Sequence, residues 1–100
     1  MADYFLVRSE CGPDWDYAKP RRQQAQWDEH ATFMDALAAD GTVILGGPLG
    51  ETEDDDVLIV VDLDSEAAIR SRLAGDPWFD TVLSIKSIEP WTIWLRGSAS

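Results

Sequence analysis

Apolar residues recur along this chain with two periods, and the changes between them mark out its elements. DYFLVR, residues 3–8, is a short apolar run bounded by turn-forming residues and predicts a strand. Residues 9–21 break the pattern with Gly12, Pro13, Pro20 and several charges. They predict a loop longer than a compact domain carries without a use for it. From about Arg22 to Ala39 the spacing turns helical: Trp27, His30, Ala31, Met34, Leu37 and Ala38 recur three and four residues apart. Asp28, Glu29, Thr32 and Asp35 fall mostly on the other side, and Gly41 is placed to end the helix in a left-handed conformation.

TVILGGPL, residues 42–49, predicts a second strand. Its end, Gly46-Gly47-Pro48, does not suit the middle of a regular ladder, so a strand-ending turn is expected there. VLIVVDL, residues 57–63, is apolar throughout, as a central buried strand should be. DSEAAIRSRLAG predicts a second helix, with Asp64 or Ser65 as its cap and Gly75 at its end. After the Asp76-Pro77-Trp78-Phe79 turn, residues 82–95 predict one or two strands. The apolar phase shifts between Ile85 and Trp91 and Pro90 interrupts the run, so a bulge or break is expected.

The order β-α-β-β-α-β is that of an α+β, ferredoxin-like fold: an antiparallel sheet with both helices on one face. A single domain is expected over residues 1–96, with a short disordered tail at 97–100. Strands this apolar should not leave their second face to water. Sheet-to-sheet packing in a homodimer, a dimeric α+β barrel, is therefore predicted.

Charge narrows the partners. The 100 residues include 19 acidic and 8 basic ones, a formal net charge of −11. Such a surface repels phosphate backbones and anionic membranes, so neither nucleic acid nor membrane is an expected partner. The N-terminus, MADYFLVRSE, is not expected to be a secretory signal, and no run approaches the roughly 20 apolar residues of a membrane span. The single cysteine, Cys11, excludes an intrachain disulfide and suits a reducing cytoplasm. No base can be placed beside it to make it a nucleophile.

Metal and cofactor motifs are also missing from the sequence. The acidic stretch at residues 51–56 does not carry the spacing of a calcium loop and reads as a solvated hairpin loop. With one histidine and one cysteine, no metal site is expected. Gly46-Gly47-Pro48 has neither the dinucleotide fingerprint nor the Walker lysine, so no cofactor is expected.

The chemistry that remains centres on His30, the sole histidine, set on an apolar helix face. It can be a hydrogen-bonded core residue, or a general acid or base in a pocket between helix and sheet. Asp76, before Pro77, can simply shape a turn. It can also orient an imidazole by holding the proton on one ring nitrogen. Most of the five tryptophans suit core packing, but Trp27 and Trp78 lie near the two polar candidates and could wall a pocket for a small flat ligand.

WDEHATFMDALAADG, LGGPL, GDPW and EPWTIW, in that order, resemble the YciI-like, or YCII-related, family from about residue 3 to residue 95. The resemblance implies a dimeric α+β barrel and an active site built on a histidine and an aspartate. The histidine corresponds to His30; the aspartate corresponds best to Asp76, with Asp40 as the alternative. Some members look like lyases or isomerases acting on small cyclic or aromatic compounds. The expected function is therefore cofactor-independent proton transfer by a His30–Asp76 dyad, with Trp27, Met34, Gly47, Pro48 and Trp78 shaping the substrate pocket. A non-catalytic ligand-binding module is the alternative, and a haem-degrading barrel a more distant one by fold analogy.

Overall fold

The computed structural model describes residues 3–97; of the predicted tail only Gly97 falls among them, and residues 98–100 lie outside. The elements follow the expected order: β1 (Tyr4–Cys11), a 3₁₀ turn (Arg21–Gln23), α1 (Trp27–Ala39), β2 (Val43–Pro48), β3 (Val57–Val61), α2 (Glu66–Leu73) and β4 (Leu83–Trp91). The four strands form one sheet in the order β2-β3-β1-β4, every neighbouring pair antiparallel. This is the ferredoxin-like α+β arrangement.

Local chemistry sets the helix ends. Gln26 adopts the left-handed region, φ 59°, so α1 starts at Trp27 and not at about residue 22. A chain reversed in hand at Gln26 cannot carry helical hydrogen bonding through from the 3₁₀ turn. Asp28 and Glu29 then occupy the first turn, where the helix dipole favours negative charge. Gly41, φ 84°, turns the chain out of α1 as expected. Ser65 caps α2, its Oγ accepting from the Ala68 amide at 3.1 Å.

Both helices pack on one face of the sheet. Leu37 from α1 and Ile69 and Leu73 from α2 meet Val7, Val43, Ile59 and Val61 in one buried cluster. A second cluster, Trp15, Trp78 and Val82, lies under the long segment between β1 and α1. That segment is ordered by Gln24, 4% exposed. Its amide oxygen accepts from the Asp16 amide at 2.9 Å, while Nε2 donates to the carbonyls of Asp16 and Lys19.

Two strands differ from expectation. β4 is continuous through Pro90, which an edge strand tolerates because its outer amides need no partner. Its expected irregularity is a bulge: Arg8 faces Ser87 but Ser9 faces Ile85, leaving Lys86 over. The bulge lets Ile85 and Ile88, an odd number of residues apart, both pack on the helix-side core. On the opposite edge, Gly46, Gly47 and Pro48 do not form a strand-ending turn. They pair with Ile59, Leu58 and Val57, after a register shift between Val43 and Leu45.

No helix covers the second face of the sheet. Leu6, Val60 and Leu45 form one row across it, and Tyr4 faces Trp91. Leu45 is 65% and Trp91 45% exposed. Core packing therefore does not extend to Trp91 or to Trp94, which lies beyond the last strand and is also exposed.

Candidate functional site

Four parts of the chain converge on His30. Its backbone amide closes the first turn of α1 on Gln26 O at 3.0 Å, which projects the ring toward the turn after α2. There Asp76 begins a tight turn: its carboxylate accepts from the Trp78 amide at 3.0 Å, and the Phe79 amide returns to Asp76 O at 3.0 Å. His30 Nδ1 lies 2.9 Å from both Asp76 carboxylate oxygens. The two side chains are 12% and 9% exposed.

The imidazole is also fixed by its faces. It stacks on the Trp78 indole with ring centres 3.9 Å apart and planes within 8°. Trp27 leans on the same pair, 5.8 Å from His30 and 5.6 Å from Trp78 between ring centres. Trp78 is fully buried, and its Nε1 donates to Ala25 O at 2.6 Å, tying the site to the long segment before α1. A carboxylate can only accept, so Nδ1 carries the shared proton, and in the neutral ring the lone pair lies on the second nitrogen, Nε2.

A cavity of about 320 Å³ lies beside this pair, between α1 and the sheet. His30, Asp76, Trp27, Met34, Gly47, Pro48 and Trp78 all line it. Asp40 does not: its carboxylate accepts from Arg72 and from the Thr42 amide. Those bonds, Thr42's foremost, hold its pKa below the usual carboxylate value. The geometry therefore pairs His30 with Asp76 rather than Asp40.

Other residues line the cavity beyond the predicted set, and three of them shape its floor and charge. Ser9 continues the helix-side row Phe5, Val7 and puts a hydroxyl in the floor; the signal was the alternation itself, had the strand been carried to Cys11. Gly46 keeps the floor open, since a Cβ there would lie 2.6 Å from Ile59 Cγ2. Arg21 reaches the cavity from the 3₁₀ turn, which no local pattern announces.

Other reactive groups stand apart. Cys11 does not line the cavity, and burial, then the Asp54 charge, pushes its thiol pKa up, away from the reactive thiolate. Among the described residues no group of three His, Cys, Asp or Glu side chains converges to hold a metal ion. No helix of the described residues is long and apolar enough to cross a membrane.

The model of the YCII-related domain matches residues 11–92 of the chain, a span running from the end of β1 to the residue after β4. No curated protein matches it significantly.

Proposed function

Because the chain belongs to the YCII-related domain family, we propose that it is a small-molecule enzyme that moves a proton within a small cyclic or aromatic substrate, in a lyase- or isomerase-type reaction. The observation that carries this reading is the His30 Nδ1 contact with both Asp76 oxygens beside a cavity of ligand size. Nε2 acts as the base. Asp76 holds the tautomer and faces the positive charge that the ring gains when Nε2 takes a proton. Trp27, Met34 and Trp78 supply flat apolar walls, and the backbone of Gly47 and Pro48 closes the sheet side.

The working unit in this reading is a homodimer joined through the uncovered sheet face, and the free thiol of Cys11 suits the cytoplasm. The test is turnover. On a compound found by screening small cyclic acids and phenols, His30→Ala should lose about 10²–10⁴ in kcat while keeping its fold. A variant as fast as the wild type would end this mechanism. Compounds that bind but are never turned over would point to a binding module instead.

A further inference from the structure

We propose that Arg21 makes this cavity selective for an anionic small molecule, a carboxylate or comparable oxyanion, with the Ser9 hydroxyl as a second contact. The proposal rests on reading the cavity as a ligand site. Among the residues lining it, Arg21 is the one permanent cation. Its Nη2 donates to two backbone carbonyls, Glu53 O at 2.8 Å and Asp55 O at 3.1 Å, which hold the guanidinium in place. Its Nη1 is enclosed and has no acceptor among the described residues. The side chain also forms no ion pair with a described carboxylate, unlike Arg8, Arg70 and Arg72.

A guanidinium cannot shed its proton, and an enclosed charged donor without a partner is costly. Stacking supplies part of the compensation: the Arg21 guanidinium lies 5.3 Å over the Trp15 ring. An anionic group in the cavity would answer that charge, since Arg21 lines it. Arg22, next in the chain, sits 5.7 Å over Trp27. Two carboxylates also line the cavity, so anion selectivity rests on where Arg21 sits and not on the net charge of the lining. Asp76 is engaged by His30 and the Trp78 amide, and Asp35 is solvent-exposed on α1.

Ser9 stands on the helix-side row of β1, opposite Ile85 at the β4 bulge, and its hydroxyl bonds to no described side chain. A ligand seated there would have its apolar body against Trp27, Met34 and Trp78 and its anionic end toward Arg21.

Benzoate and benzyl alcohol, one ring with and without the charge, test this by titration of tryptophan fluorescence. The wild type should bind benzoate at least roughly tenfold more tightly, despite its net negative charge, since a charge-assisted bond contributes that much. Arg21→Gln should lose the preference and keep its affinity for benzyl alcohol, which also reports an intact cavity. If Arg21→Gln does not fold, Ser9→Ala, which should lower the benzoate preference alone, decides the matter in its place. Equal binding of the two probes, no response to benzoate, or a preference that survives in Arg21→Gln would each overturn the proposal. Benzoate selectivity needs no proton transfer and is read from binding alone, whereas the dyad is read from turnover. Loss of turnover and loss of anion preference are therefore separate failures.

Discussion

His30 is constrained at every atom that could choose otherwise. Trp78 covers one face, Trp27 leans on the ring, and Nδ1 is held by a carboxylate that is itself oriented by the Trp78 amide. The same tryptophan thus supports the imidazole directly and through Asp76. This arrangement makes a prediction that needs no substrate. In Asp76→Asn the side-chain amide can donate to Nδ1, which then favours the proton on Nε2. The nitrogen shifts of His30 in a labelled sample should move from the Nδ1–H tautomer in the wild type to the Nε2–H tautomer in the variant. In an enzyme where an aspartate orients a histidine base, the same exchange costs about 10⁴ in rate. A variant with an unchanged tautomer would show that Asp76 does not direct the ring, whatever its effect on folding.

At the scale of elements, legibility followed the range of the interaction. The 3.6-residue period of α1 and the continuous apolar run of β3 are local signals; β3 starts and α1 ends where they predict, while α1 begins only at Trp27, after the left-handed Gln26. The His30 side of α1 was readable for the same reason. Features set by neighbours were not. Gly46-Gly47-Pro48 reads as a turn until β2 is known to be an edge strand, where the missing proline amide matters little. Asp76 is 46 residues from His30, and no spacing rule joins them; the family resemblance did. Arg21 and Ser9 lie just outside the elements as predicted; a longer β1 would have placed Ser9 by alternation, whereas Arg21 approaches the cavity through tertiary contacts alone.

Gly46 tests the link between strand and cavity. Its missing side chain would point at Ile59, the residue it faces across the β2–β3 pair. Gly46→Val should therefore overpack the floor, destabilising the fold by about 1–3 kcal/mol. It should also weaken ligand binding, because the added methyl groups share the cavity wall with Gly47 and Pro48. Urea unfolding and the benzyl alcohol titration read the two effects separately. Unchanged values in both would mean that β2 moves aside freely and does not define the pocket.

For the whole molecule, the unresolved physical demand is the uncovered sheet face. Leu6, Leu45, Leu58, Val60 and Trp91 lie on the side away from both helices, by the alternation and register of the strands. Val60 is already shielded by its neighbours, whereas Leu45 and Trp91 keep 65% and 45% of their surface in water. Two such faces packed about 10 Å apart would bury this row, and a specific interface requires roughly 800 Å² from each partner. The net charge of −11 opposes association, so a dimer should tighten as salt rises and screens the repulsion. Light scattering at micromolar concentration should give twice the chain mass, and the thermal midpoint should rise with protein concentration. Leu45→Glu places a charge at the edge-strand side of the proposed contact and should yield a folded monomer with the same far-UV spectrum. A wild type that stays monomeric at every salt concentration would leave the apolar face without a partner and refute the dimer.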